Sequence, residues 1–155
     1  MSAAQNKAII SRFYDELWND RILSVADELF AGDCVTHQLR SGAEPVEVPR
    51  SPEAVKHHVA DWIRGFPDLR FTVEEMIAEA DRVVSRSVLR GSHTGTWLGI
   101  PPTGKQINIR MSVTHRIENA KIAEDWVLVE APGLFQQLGL VPATEELLKN
   151  ATESS

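Results

Sequence analysis

Two ionisable residues stand on apolar faces of two consecutive strands predicted between residues 106 and 130. The alternation in the first strand puts His115 on the buried face, together with Ile107, Ile109, Met111, Val113 and Ile117. The same alternation in the second strand groups Ile122, Glu124, Trp126, Leu128 and Glu130. If both are inner faces, His115, Trp126 and Glu130 converge on one concavity. A β-bulge in the second strand would reverse this assignment beyond the bulge.

This arrangement would suit removal of a proton from a carbon next to a carbonyl. A carboxylate in an apolar pocket loses hydration, so its pKa rises and it becomes a stronger base toward carbon acids. A nearby histidine can hold the carboxylate, exchange its proton or polarise a carbonyl oxygen. Two structural alternatives stay open: Glu130 as a cap of the helix after Pro132, and His115 as a buried structural histidine.

Other residues are candidates for the walls of the same pocket. We expect Trp62, Phe71, Met111 and Trp126 to shape an apolar pocket, although aromatic residues at such spacings are also typical of a core. His93 lies between glycines in the Gly- and Pro-rich segment 91–105, where it either contacts the substrate or bonds to the loop backbone.

Metal and cofactor sites are not expected. The five histidines are scattered, the single cysteine is Cys34, and no His-x-x-x-His or Cys-x-x-Cys spacing occurs. No Gly-rich phosphate loop opens a helix, and a serine nucleophile lacks its G-x-S-x-G elbow. The chemistry is therefore predicted to rely on side chains alone, without a cofactor.

The elements that must position these residues read as helices first and consecutive strands later. Helices are predicted over residues 6–18, 25–30 and 51–65, a short strand over 34–39, a loop over 41–50, strands over 69–74, 83–89, 106–117 and 121–130, and short helices after Pro132 and over 143–150. This order predicts an α+β fold with an antiparallel sheet. We expect one domain over residues 1–155, with a frayed tail at 152–155.

Composition limits the partners. The chain has 155 residues, a net charge of −6 and no Lys/Arg cluster, which argues against nucleic acid. No signal-peptide pattern or membrane-length apolar run occurs, so we expect a cytoplasmic protein without a membrane partner. A homodimer is expected through the outer sheet face, where Val84 and Val88 share a face with Arg86 and Arg90.

The motifs of the second half resemble a known family. The motifs are Gly91-x-His93-x-Gly95 with Gly99-Ile-Pro-Pro-Thr-Gly-Lys105, then Arg116-Ile, Lys121-Ile-x-Glu124-x-Trp126-x-x-x-Glu130 and Gln136-Gln-Leu-Gly139. Together they look like the motifs of the SnoaL-like polyketide cyclases, also labelled ester cyclases. The likeness extends from the helix with Phe13-Tyr14-Asp-Glu-Leu-Trp18 to Gly139.

The resemblance implies the nuclear transport factor 2-like fold, a curved antiparallel sheet wrapped around helices to form a cone with an internal pocket. It implies a cofactor-independent aldol-type ring closure on a hydrophobic, carbonyl-bearing small molecule. It assigns general acid/base catalysis to Glu130, where the family usually has aspartate, a pocket role to His115, and substrate-binding roles to Tyr14 and His37. The alternatives are a non-catalytic binding protein, or an isomerase or hydratase on the same scaffold.

Overall fold

The computed structural model of the chain describes residues 1–39 and 46–154, which form helices packed against one curved sheet. The helices are α1 (Ala3–Arg12), which continues as a π-helix (Phe13–Asn19), α2 (Val25–Leu29), α3 (Pro52–Gly65), α4 (Ala131–Gln137) and α5 (Thr144–Glu153). The strands are β1 (Phe30–Leu39), β2 (Val46–Pro49), β3 (Arg70–Glu79), β4 (Arg82–Ser92), β5 (Gln106–Glu118) and β6 (Lys121–Val129).

The six strands form one sheet in the order β2-β1-β6-β5-β4-β3. All neighbours are antiparallel except β1 and β6, which pair in parallel. The expectation of a purely antiparallel sheet was therefore wrong at this pair. The predicted loop over 41–50 also needs correction, because residues 46–49 form the edge strand β2, where Pro49 is tolerated. The remainder of that predicted loop, up to residue 45, lies outside the described residues.

The helices that cover the inner face of the sheet begin at serine caps, of which only the one at α3 was predicted, because α1 begins at Ala3 and not at residue 6. Ser2 and Gln5 form a capping box at the start of α1, and the Ser51 side chain accepts a hydrogen bond from the N–H of Ala54 at the start of α3. The apolar stripe of each helix is buried against the sheet, including Ile10, Leu17, Val55 and Val59. Among the described residues, no helix combines the length and apolar character that crossing a membrane requires.

Strand β5 has the predicted faces. Ile107, Ile109, Val113, His115 and Ile117 are all buried, whereas the residues that alternate with them are exposed or half-buried.

Strand β6 does not have the predicted faces. Ile117 pairs with Ile122, but Arg116 pairs with Glu124, so Ala123 is an extra residue opposite no partner. This β-bulge reverses the alternation beyond it. Asp125 then faces inward, and Trp126 and Glu124 face outward on the other side of the sheet. The expectation that Glu124 and Trp126 share the inner face with Ile122 was wrong for this reason.

Candidate active site

A cavity with a volume of about 70 Å³ lies between the helices and the inner face of the sheet. Its walls are mostly apolar, and residues from several helices and strands add a few polar groups. The lining residues are Phe13, Tyr14, Trp18, Phe30, Thr36, Gln38, Arg50, Val55, His58, Phe71, Met111, Val113, His115, Asp125 and Val127. Since a cavity of this size holds only a few water molecules, an organic substrate must extend beyond it or widen it.

Asp125 places a carboxyl group in the cavity wall. Its exposed fraction is 7%, and the Thr36 hydroxyl on the neighbouring strand β1 donates a hydrogen bond to Oδ1. Burial raises the pKa of Asp125, and the bond from Thr36 and the charge of Arg50 oppose this shift in part. No described residue donates a hydrogen bond to Oδ2, so this oxygen is available to a ligand.

His115 lies directly opposite Asp125 in the antiparallel register of β5 and β6. Its side chain is completely buried, packs edge-on against Phe13 at 5.1 Å between ring centroids, and makes no hydrogen bond through either ring nitrogen within the described structure. Burial lowers the pKa of His115 to about 3, so the ring is neutral at physiological pH. Since no protein group in the described structure bonds to the His115 ring, its nitrogens can bond to a ligand in the cavity.

Tyr14, His58 and Arg50 are among the further polar residues that line the cavity. The Tyr14 hydroxyl lies 2.7 Å from the Ser85 hydroxyl, and burial raises the pKa of Tyr14. His58 on α3 is held neutral because burial and the nearby charge of Arg50 lower its pKa to about 4. Arg50 itself stays cationic. The cavity thus combines a carboxyl group, a cation, two neutral imidazoles and a hydroxyl in an otherwise apolar space.

Comparison with known proteins decides the family. A family model described as SnoaL-like polyketide cyclase matches residues 8–138, which is most of the chain. The chain belongs to the SnoaL-like polyketide cyclase family. The resemblance inferred from the motifs and the nuclear transport factor 2-like fold that it implied are both confirmed. None of the curated proteins matches the chain.

Solved structures similar to this one match over most of the chain. IdmH, a putative polyketide cyclase from Streptomyces antibioticus, is 30% identical, with 87% of this chain and 99% of IdmH covered and a TM-score of 0.74. AclR, a putative hydroxylase from Streptomyces galilaeus, is 26% identical, with 99% and 92% covered and a TM-score of 0.80. A putative SnoaL-like polyketide cyclase from Jannaschia sp. CCS1, at 23% identity, 90% and 95% coverage and a TM-score of 0.77, is similar in fold.

Four of the residues expected at the site line the cavity of this SnoaL-like chain. They are Tyr14, Phe71, Met111 and His115. All four lie on elements other than β6, so the bulge in β6 does not change the direction of their side chains. Their roles toward a substrate remain predictions.

Glu130 lies outside the cavity. The residue is exposed and stands immediately before α4, where Oε2 accepts a hydrogen bond from the N–H of Arg110 at 3.2 Å. The expected convergence of Glu130 with His115 was therefore wrong, because the bulge at Ala123 changes which side chains of β6 face inward. The alternative position at the start of the helix is correct, but the side chain makes no capping bond and instead binds strand β5.

His37 and Trp126 lie together on the outer face of the sheet. Their rings stack at 5.0 Å, and His37 Nε2 lies 2.8 Å from Glu124 Oε1. The Arg82 guanidinium sits over the Trp126 ring at 4.8 Å. These residues are separated from the cavity by the sheet itself, which corrects the expectation that His37 and Trp126 face the pocket.

Trp62 and His93 stabilise the loop that follows β4 and do not line the cavity. Trp62 packs against Trp97 at 4.8 Å between centroids, and His93 stacks on Phe66 at 5.1 Å. His93 Nδ1 accepts a hydrogen bond from the N–H of Thr103 at 3.2 Å. Of the two interpretations left open for His93, the bond to loop backbone is the one observed.

Sequence reasoning missed Asp125, Thr36 and Arg50. Asp125 was hidden by the reversed alternation, and no local pattern in β6 marks Ala123 as the bulge. Thr36 and Arg50 carry no signal of their own, since they reach the cavity through the pairing of β1 with β6 and the position of β2. Within residues 1–39 and 46–154, no three His, Cys, Asp or Glu side chains are grouped as metal ligands would be.

Proposed function

We propose that this SnoaL-like protein is an acid/base enzyme that closes a ring by an intramolecular aldol-type reaction on a hydrophobic, carbonyl-bearing small molecule. The observation that carries the proposal is the desolvated Asp125 carboxyl group opposite the unpartnered His115 ring in one cavity. The names given to IdmH, a putative polyketide cyclase, and AclR, a putative hydroxylase, support an enzyme of small-molecule metabolism.

Asp125 takes the role of general acid/base that the resemblance assigned to Glu130. Because burial raises its pKa, the Asp125 carboxylate is a stronger base than an exposed one. It would remove the proton from the activated carbon, the carbanion would attack a second carbonyl of the same molecule, and protonated Asp125 would return the proton to the resulting alkoxide. The reaction starts and ends with the same protonation state, so it needs no cofactor.

His115 would act on the carbonyl oxygen. A neutral imidazole carries one N–H donor, and neither His115 nitrogen is engaged within the described structure. The residue is therefore proposed to donate a hydrogen bond to the substrate oxygen while Asp125 works on the adjacent carbon. The apolar residues Phe71 and Met111 would hold the hydrophobic part of the substrate.

Deuterium exchange would test this proposal without knowledge of the natural substrate. Acetylacetone has an activated C–H between two carbonyls, and its exchange in D₂O is followed by proton NMR. We expect the protein to accelerate exchange above the buffer rate, Asp125→Asn to remove the acceleration, and Glu130→Gln to keep it. Loss of activity in Glu130→Gln with retention in Asp125→Asn would reverse the assignment. Binding of acetylacetone without acceleration would favour a non-catalytic binding protein.

We also propose a homodimer that forms through the outer face of the sheet. Ile77, Val84 and Leu128 are exposed there at 58%, 40% and 54%, and they lie on neighbouring rows of β3, β4 and β6. Val88 of the originally expected patch is buried within the chain and cannot contribute. Light scattering of the wild type and of Val84→Glu would test this, with a monomeric wild type refuting it.

A further inference from the structure

Arg50 brings a positive charge to the cavity wall. It follows β2 directly, its N–H donates to the Cys34 carbonyl at 2.7 Å, and the next residue, Ser51, caps α3. The backbone of Arg50 is thus held between a strand and a helix, and its half-buried side chain lines the cavity. Within the described part of the chain, no carboxylate forms an ion pair with the guanidinium and no acceptor bonds to it.

Three titratable groups face Arg50: Asp125, His58 and Cys34. The charge of Arg50 acts against the burial that raises the pKa of Asp125 and Cys34, and it adds to the burial that lowers the pKa of His58. Asp125 is therefore near enough to interact with Arg50 electrostatically, yet the two do not form a direct bond. A guanidinium has five N–H donors. Arg50 can therefore donate hydrogen bonds to a ligand that lies beside Asp125 in the cavity.

We propose that Arg50 binds the substrate oxygen on which negative charge develops when Asp125 removes the carbon-bound proton. This inference rests on the proposed function. In the step, the C–H bond breaks, an O–H bond forms on Asp125, and the electron pair moves into an enolate whose oxygen carries the charge. The guanidinium then donates its hydrogen bonds to that oxygen.

The charges in the cavity point to an uncharged substrate. To act as the base, Asp125 must be negative before the step, while Arg50 is positive and His58 and His115 are neutral. After the step, Asp125 is neutral and the enolate is negative, so the sum stays at zero. A substrate with a carboxylate of its own would leave one unbalanced negative charge in an apolar space, which is costly. The substrate class is therefore a neutral ketone or 1,3-dicarbonyl compound.

The test uses the ionisation of bound acetylacetone, because its enolate is detected by ultraviolet absorption whether or not turnover occurs. We expect Arg50→Met to raise the pH at which the bound probe ionises by about one to two units, the effect of losing one nearby opposite charge. Deuterium exchange should fall about 100-fold, as on removal of one oxyanion-binding donor. Arg50→Lys should retain part of both effects, since the charge remains but the planar donor array does not.

Arg90→Met is the matched control. Arg90 is exposed on β4, lies outside the cavity and forms no ion pair among the described residues, so its loss should change neither measurement. Thermal unfolding of every variant checks that the fold is kept.

Three outcomes would overturn the inference. In the first, the bound probe ionises at the same pH in Arg50→Met as in the wild type, while Asp125→Asn abolishes deuterium exchange. This result would exclude the role of Arg50 and leave the proposed function intact. A second is tighter binding of acetoacetate than of acetylacetone that Arg50→Met removes, which would make Arg50 a carboxylate anchor. A third is failure of the wild type to bind either probe. If the wild type binds acetylacetone but accelerates no exchange, the proposed function fails, and the ionisation of the bound probe still decides the role of Arg50.

Discussion

Replacement of His115 by leucine should remove a large part of the acid sensitivity of this protein. His115 is completely buried, and its pKa is lowered to about 3, whereas a histidine in an unfolded chain has a pKa of about 6.5. Below pH 6.5 the unfolded state therefore binds a proton that the folded state does not. The stability that neutral His115 contributes is fully present above pH 6.5 and is lost as the pH falls toward 3.

The magnitude follows from the two pKa values. Each pH unit below 6.5 costs the folded state about 1.4 kcal/mol for one such histidine, which amounts to about 2 kcal/mol between pH 6.5 and pH 5. His58, whose pKa is lowered to about 4, adds a similar loss of stability per pH unit, and it does so equally in the wild type and in the variant. The difference between the two proteins therefore isolates His115.

Equilibrium unfolding in urea at pH 7.5, 6.5, 5.5 and 5.0 would measure this difference. We expect His115→Leu to lose about 2 kcal/mol less than the wild type between pH 7.5 and pH 5.0, at an unchanged dependence on urea concentration. His57→Gln is the control, since His57 is exposed on the same protein and its replacement should leave the wild-type curve unchanged. Parallel curves for His115→Leu and the wild type would refute the burial of an unpartnered, neutral His115.

Three further changes have defined outcomes. Asp125→Asn keeps an acceptor for Thr36 and removes a carboxylate whose pKa is raised by burial, so wild-type stability falls as the pH rises through that pKa. Calorimetry should show the variant melting at a higher temperature than the wild type at pH 8 and at the same temperature at pH 3. Gly95→Ala would drive a methyl group into the Arg64 carbonyl and should cost about 3 kcal/mol in urea unfolding. Cys34 is 1% exposed with its pKa raised to about 12, so a disulfide reagent should modify it at least about 100-fold more slowly in the folded than in the unfolded chain; equal rates would show local opening.

Much of the fold was open to prediction from the sequence, for local reasons. Ser51 marks the start of α3 through its cap, and the apolar stripes of α1 and α3 repeat at helical spacing. The clean alternation in β5 placed His115 and Met111 on the inner face without any tertiary information. The motif from Gly91 to Lys105 and its continuation to Gly139 identified the family, which the match over residues 8–138 confirms.

The pairing of distant segments was not open to prediction in the same way. The parallel contact of β1 with β6 joins residues about 90 positions apart, such as Thr36 and Asp125, and no local pattern in either strand specifies it. Arg50 illustrates the same limit, because it belongs to a segment that looked like a loop and becomes part of the cavity only once β2 pairs with β1.

By itself the sequence determined most of the helices and strands but not β2, together with the α+β class, the family and the burial of His115, since each of these depends on periodicity or on a contiguous motif. Tertiary structure decided which carboxyl group shares the cavity with His115. A single extra residue, Ala123, shifts β6 against β5 and exchanges its two faces, so Asp125 enters the cavity and Trp126 leaves it. Because side chains alternate with a period of two, one bulge inverts every later position of the strand, and hydrogen-bond pairing with the neighbouring strand determines where that bulge forms.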